Sequence, residues 1–294
     1  MTSVDADVLV IGEALIDIVE TRTGTSEIVG GSPANVALGL GRRGTRVALL
    51  TQIADDEHGH MIINHLEESG VRVLPESLVA TRTPAATATI GVDGEAQYTF
   101  DLQWETLEHL DGTRPRLIHT GSIGAFMEPG ASSVRNLLDA SESSEITFDP
   151  NIRPTLLDRR AAVPVFEEMT RLSTVVKMSD EDADWLYPDV ELNQVIDLVL
   201  ALGTRLAVIT RGASGAVLAT QHDRVHIGAE SVTVVDTIGA GDSFMSSLIL
   251  SILEVGSSDL KKQDLVTMGK AASQVAAIAV SRAGADLPWA HEIA

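Results

Sequence analysis

The sequence predicts an α/β fold, doubly wound around a mostly parallel sheet, and three observations predict it. Short aliphatic runs alternate with longer helical patterns along the 294 residues. Most of those runs are apolar on both faces, as strands covered by helices must be. Glycines such as Gly70 and Gly203 fall just where helix C-terminal caps belong.

The expected strands are Val8–Ile11, Val47–Ile53, Arg116–Thr120, Glu145–Asp149, Thr174–Lys177 and Leu206–Thr210. The expected helices are Ala34–Arg43, His58–Ser69, Ser132–Ser141, Pro164–Ser173, Glu181–Leu186, Leu192–Leu202, Ala240–Val255 and Leu260–Ser281. Two regions break the alternation. Ala14–Val29 reads as an extended pair turning at Gly24. Pro84–Asp101 reads as a hairpin turning at Asp93-Gly94, a strong hairpin dipeptide. Together they predict a small β lid beside the main sheet, in a chain read as one domain over 1–294. A purely structural edge fits the same pattern. Gly215 to Val235 reads as a β meander.

Composition excludes several function classes. Acidic residues number 42 against 21 basic ones, a formal net charge of −21. So acidic a surface repels a phosphate backbone and anionic lipid, so neither nucleic acid nor membrane is an expected partner. Aromatic residues at 3% leave few base-stacking platforms. With no cysteine there is no disulfide, thiolate–zinc site or thiol nucleophile, which fits a reducing cytoplasm. Met1 to Ala6 shows no basic region leading into an apolar run, so no signal peptide is expected.

Gly39-Leu40-Gly41-Arg42-Arg43-Gly44 matches the dinucleotide fingerprint letter for letter, but its context is reversed. These glycines end a helical stretch and precede a strand, whereas the fingerprint follows a strand and opens a helix. They are read as close packing and a helix stop. No Walker P-loop, H-E-x-x-H or G-x-S-x-G occurs, and the eight histidines show no metal-ligand spacing.

The strongest signal is Asp236-Thr237-Ile238-Gly239-Ala240-Gly241-Asp242-Ser243-Phe244. A β-rich stretch, Val232–Val235, runs through a small-residue turn into a long apolar helix. Amides at a helix N-terminus lack intrahelical partners and lie at the positive end of the dipole, so this turn can cradle an anion. Asp242 in the first turn has two readings: it complements the dipole, or it is a general base beside the anion. A second signal is Gly30-Gly31-Ser32-Pro33-Ala34-Asn35. Here Ser32 is a natural N-cap, Pro33 a natural first helical residue and Asn35 a donor and acceptor for hydroxyls. A plain helix start explains it equally well.

These two blocks, about 200 residues apart, resemble the signatures of the ribokinase-like (PfkB) carbohydrate kinases, and the chain is most similar to fructokinases within that family. Gly12-Glu13-Ala14-Leu15-Ile16-Asp17, Asp149-Pro150-Asn151-Ile152-Arg153-Pro154 and Lys177-Met178-Ser179 resemble further fructokinase blocks, in the right order over nearly the whole chain. The resemblance implies a ribokinase-like fold and transfer of the γ-phosphoryl of ATP to a sugar hydroxyl. Asp242 matches the catalytic base, and the amides of Gly239, Ala240, Gly241 and Asp242 match the anion hole. Asp17, Gly31 and Asn35 match sugar-binding positions. Thr210, Gly212 and Gly215 resemble the nucleotide-binding strand end and turn, and Asn151 and Arg153 fall near the transferred phosphate. Mg²⁺ is expected with ATP, and Asp236 and Ile238 match a loop that often serves a monovalent cation, K⁺.

There are departures. Ser179-Asp180-Glu181-Asp182 stands where many members carry Asn-x-x-Glu, which shortens the expected metal-side acid at Asp182 by one methylene. Ile238 replaces a common Thr, and Ala54 a common Gly. None of them removes the base or the cradle. Fructose is the first expected acceptor; 2-keto-3-deoxygluconate, ribose and nucleosides stay open, and a sugar-binding sensor without catalysis is the alternative of another class. The lid also presents apolar positions that suit a homodimer.

Overall fold

A computed structural model describes residues 6–21, 23–90, 96–107, 114–141 and 145–293. The chain opens with β1 (Val8–Ile11), the hairpin β2 (Leu15–Thr21) and β3 (Gly24–Gly30), then α1 (Ser32–Arg42), β4 (Val47–Leu50), α2 (Glu57–Glu68) and β5 (Val71–Val73). There follow β6 (Ala85–Ile90), β7 (Ala96–Asp101), β8 (Leu117–Gly121), α3 (Ser122–Phe126), α4 (Gly130–Asp139), β9 (Glu145–Asp149) and α5 (Arg159–Leu172). The last part holds β10 (Val175–Ser179), α6 (Asp180–Leu186), α7 (Leu192–Ala201), β11 (Leu206–Thr210), β12 (Ala216–Ala219), β13 (Arg224–Ile227), α8 (Ala240–Val255) and α9 (Lys262–Val280).

The large sheet has the order β13-β12-β11-β10-β9-β8-β1-β4-β5. It is parallel from β11 to β5, and β12 and β13 extend it antiparallel. All four residues of β1 are buried, and their alternation divides the core. Val8 and Val10 join a cluster with Leu38 of α1, Leu248 of α8 and Met268 of α9. Leu9 and Ile11 join another with Phe148, Phe166 of α5 and Val199 of α7. Period-2 side-chain direction thus assigns one helical layer to each face.

From β1 the chain winds outward to β4 and β5, and from β8 it winds the other way to β9, β10 and β11. The strand order therefore reverses between β1 and β8, and the carboxyl ends of the strands open a crevice there, where ligands of such sheets bind. Glu13, just after β1, spans this point by accepting the Gly124 N–H of α3 at 2.9 Å.

The region expected to form a lid is a second sheet, β3-β2-β6-β7. Its first turn falls before Gly24, because β3 already begins there; the expected turn at Asp93-Gly94 lies outside the described residues. Three other expectations change. Helix α5 starts at Arg159, five residues early, with Asp158 capping its N-terminus and Pro164 carried inside. Residues 232–235 form no strand. They are exposed, and among the described residues no strand pairs with them. The meander is therefore only β12 and β13. No helix among the described residues is long and apolar enough to cross a membrane.

Candidate active site

Helix α8 starts at the crevice. Its N-cap, Gly239, has φ 76°, a left-handed conformation that glycine takes without strain. The first helical bond runs from Ser243 N–H to Gly239 O at 2.8 Å. Ala240 N–H donates to Thr237 O at 3.3 Å, so of the four expected anion-hole amides this one is already engaged. Among the described residues no acceptor faces the N–H groups of Gly239, Gly241 and Asp242. These donors stand at the positive end of a 16-residue helix.

Asp242 is 7% exposed. Its Oδ1 accepts the Ser32 hydroxyl at 2.7 Å, and its Oδ2 accepts Asn35 Nδ2–H at 2.8 Å. The N-cap expected at Ser32 is instead Gly31; Ser32 and Pro33 are the first two helical residues, and the Ser32 side chain makes no cap bond. Asn35, expected to meet sugar hydroxyls, lines the crevice while its amide donor holds Asp242.

A cavity of about 340 Å³ lies in front of this carboxylate. The four-stranded sheet supplies Asp17, Ala86 and Phe100, the loop after β9 supplies Asn151 and Arg153, and Gly31 and Asp242 are among the other lining residues. Asn151 has φ 36°, a left-handed conformation that Asn tolerates better than most residues. Its Oδ1 accepts Arg153 Nη1–H at 2.7 Å. Asp17 opens into the cavity, yet desolvation raises its pKa, and Arg153 pulls the other way. Glu13 also lines the cavity; burial raises its pKa against the lowering effect of the Gly124 amide.

The pattern-based reading assigned no role to Lys177, Asp149 or Glu13. Lys177 Nζ donates to Asp149 Oδ2 at 2.7 Å inside the protein. An atom in the Cβ place of Gly241 would lie 3.0 Å from that ammonium, so a buried cation sits directly against the first turn of α8. Burial pushes the Asp149 carboxyl up to about 6, Lys177 opposes this, and Asp182 and Asp242 add to it. For Lys177, burial acts downward, but Asp149, Asp242 and Asp182 outweigh it and the pKa is raised. His119, beneath them in β8, is driven down to about 3 by burial and by Lys177, and is neutral. The sequence signal was a lone charge in the otherwise apolar run Val175 to Met178.

A second cavity, about 590 Å³, lies on the other side of the α8 N-terminus. Thr210, Gly212 and Gly215 line it, with Val232, Val234 and Phe244 as apolar walls. Thr237 and Gly241 belong to the walls of both cavities. The N-terminus of α8 therefore separates a polar, charged chamber from a more apolar one.

The residues expected to serve cations make the following contacts. Asp182 accepts Ile152 N–H at 2.8 Å on one oxygen and Ser179 N–H at 3.0 Å on the other, so it caps α6 and pins the loop of Asn151. Asp236 accepts the N–H groups of Ile238 and Gly284 at 3.0 and 2.9 Å, and Ile238, though largely exposed, lines the polar cavity. Among the described residues no three acidic or imidazole groups converge to hold a metal. Such a donor set offers no protein cage for Mg²⁺; it suits a cation carried by nucleotide phosphates and water.

The model of the pfkB family carbohydrate kinases matches residues 5–292. The chain belongs to the pfkB family. It is an ATP-dependent carbohydrate kinase of that family. A fructokinase of Rhizobium leguminosarum bv. trifolii is 34% identical to this pfkB chain over 289 residues, covering 90% of it and 83% of the relative. The crystal structure of aminoimidazole riboside kinase from Salmonella enterica, complexed with aminoimidazole riboside and an ATP analogue, superposes with a TM-score of 0.82 at 23% identity. The match covers 97% of this chain and 98% of that one. A fructokinase with bound ATP from Xylella fastidiosa gives a TM-score of 0.82 at 21% identity, covering 98% and 97%. These likenesses identify the fold as that of the ribokinase-like kinases.

Proposed function

We propose that this kinase phosphorylates a ketohexose, fructose first, with Asp242 as general base and the α8 N-terminus as anion hole. The whole chain acts as one unit, with the four-stranded sheet as its lid. The observation that carries the reading is the position of Asp242: its carboxylate faces the polar chamber, and the unpartnered amides beside it stand between that chamber and the apolar one. The sugar occupies the chamber of Asp17, Gly31, Asn35 and Arg153. ATP occupies the chamber of Thr210, Gly212 and Gly215 and extends its phosphates toward Gly241, with Asn151 and Arg153 near the transferred group.

The sugar hydroxyl gives its proton to Asp242 while its oxygen attacks the γ-phosphorus. The bond from that phosphorus to the β–γ bridging oxygen breaks, and ADP leaves. The Gly239, Gly241 and Asp242 amides, with the Lys177 ammonium behind them, meet the negative charge on the moving phosphoryl without having to reorganise. Mg²⁺ arrives with ATP as part of the substrate and neutralises phosphate charge. The four-stranded sheet closes over the sugar and keeps water from the phosphoryl group, and its outer face takes a second copy of the chain. The 34% identity to a fructokinase supports fructose over the other acceptors.

The test is ADP release with ATP–Mg²⁺ over fructose, ribose, 2-keto-3-deoxygluconate and nucleosides, repeated with Asp242→Asn. Fructose is expected to give the highest kcat/KM, and the variant to lose roughly 10²–10⁴-fold in kcat with its fold retained. Near-normal turnover by the variant rejects the base. Sugar binding without ADP release on any acceptor makes the protein a sensor.

A further inference from the structure

Ser32 is the first residue of α1, one position past the N-cap Gly31. Its hydroxyl points across to α8 and donates to Asp242 Oδ1 at 2.7 Å, joining residues 210 positions apart. Ser32 is 6% exposed and Asp242 7%, so water does not compete well for this bond. The neighbours of Ser32 leave it little freedom. A Cβ on Gly31 would press on the Glu13 backbone, and the Pro33 ring lies against Gly12, where a Cβ would collide with it.

The same seam continues down the two helices. Gly39, seven residues along α1 from Ser32, lies so close to α8 that a Cβ there would come within 2.8 Å of Ser246 Oγ. Ser246 is one turn along α8 from Asp242. The glycine that gives the sequence its false dinucleotide fingerprint is therefore what lets α1 approach α8 and brings Ser32 within reach of the carboxylate.

We propose that Ser32 is a positioning residue for Asp242, fixing the orientation of its carboxylate. The inference rests on Asp242 being the general base. A carboxylate held by Ser32 on Oδ1 and by Asn35 on Oδ2 presents its remaining lone pairs to the cavity in a fixed direction, which a proton acceptor in phosphoryl transfer requires. Other charged groups act on Asp242: Lys177 from β10 and Asp149 from β9 couple to it, and Glu13, Asp17 and Arg153 line the same cavity. Among the described residues none of these is bonded to the Ser32 hydroxyl, so a change at Ser32 leaves their contacts in place.

The experiment compares wild type, Ser32→Ala, Ser32→Thr and Asp242→Asn on the best acceptor, measuring kcat and both KM values. Ser32→Ala is expected to lower kcat about tenfold with both KM values within about twofold. Ser32→Thr, which keeps the hydroxyl, should restore most of the lost kcat. An inactive Asp242→Asn beside a Ser32→Ala with unchanged kcat overturns this inference alone. An active Asp242→Asn overturns the base assignment, and this inference with it. If Ser32→Ala does not fold, Ser32→Cys, similar in shape but a weak donor, reads the same loss of kcat. An unchanged kcat in Ser32→Cys, or failure of both variants to fold, makes the role structural and rejects the proposal.

Discussion

Lys177 Nζ lies 2.7 Å from Asp149 Oδ2, with both side chains almost wholly buried beneath the first turn of α8. Two charges withdrawn from water cost several kcal/mol each, and mutual attraction repays this only while both are present. Lys177→Met therefore leaves Asp149 uncompensated. The expected loss is about 3–5 kcal/mol by urea unfolding at pH 7.5. It should be smaller at pH 5, because Asp149, already pushed up to about 6, then takes a proton in the folded state. Adding Asp149→Leu should recover most of the stability, since an apolar replacement of a buried pair is often neutral. Activity should not return, because the ammonium behind the anion hole is gone. Full activity in the double variant refutes a role for Lys177 in the transfer.

His119 predicts a pH effect of its own. It is buried and neutral, with its pKa near 3 through burial and the nearby Lys177, whereas the unfolded chain protonates near 6.5. The unfolded state thus binds a proton that the folded state does not, and stability is lost as pH falls from about 6.5 toward 3. The slope is at most about 1.4 kcal/mol per pH unit. The Asp149 effect, of opposite sign between about 6 and 4, is common to wild type and a His119→Gln variant and cancels on comparison. Relative to that variant, wild type should lose about 2–3 kcal/mol between pH 7.5 and pH 4.5. Parallel stability curves for the two proteins would show that His119 is not the titrating group.

How much of this could be read from the sequence depended on whether the cause was local. The apolar strands β1, β8 and β11 were legible because both of their faces meet helices. The start of α8 was legible because a small-residue turn precedes a long apolar run. The Val-rich residues 232–235 misled because β propensity needs a neighbouring strand. The backbone there instead sends Val235 N–H to Val280 O at 2.8 Å, and Val234 is left exposed on the cavity wall. Ser32 misled in the opposite way. The local rule favours a cap, but the cap position falls on Gly31, and the Ser32 hydroxyl meets a carboxylate from the far end of the chain. The bond from Ile152 N–H to Asp182 was not legible, because nothing local shows that this amide comes to meet the carboxylate.

Gly215 tests the apolar chamber separately. Its φ is 85°, and a Cβ there would run into Ile227 O of β13. Gly215→Ala should therefore displace the turn between β11 and β12 and cost about 1–3 kcal/mol. Because Gly215 lines only the apolar chamber, KM for ATP should rise several-fold while KM for the sugar stays within about twofold. Equal rises in both would mean that the two chambers are not the separate nucleotide and sugar sites proposed.

The lid carries the last prediction. In the order β3-β2-β6-β7, strand β3 pairs among the described residues only with β2, so its other edge has no strand on it there, and its first five residues are exposed. Ile28 on that strand is 52% exposed. An open edge bearing a large aliphatic side chain favours association unless charge or cover protects it. A second copy would bury Ile28 and hold β2 and β3, and thereby Asp17, over the sugar chamber. Light scattering should give a dimer mass at micromolar concentration, and Ile28→Lys should shift it to monomer. The monomeric variant should also show a higher KM for the sugar than for ATP, relative to wild type, because only the sugar chamber borrows a wall from the lid. A wild-type monomer at every concentration refutes the lid interface, and a monomeric Ile28→Lys with unchanged sugar KM separates dimerisation from the site.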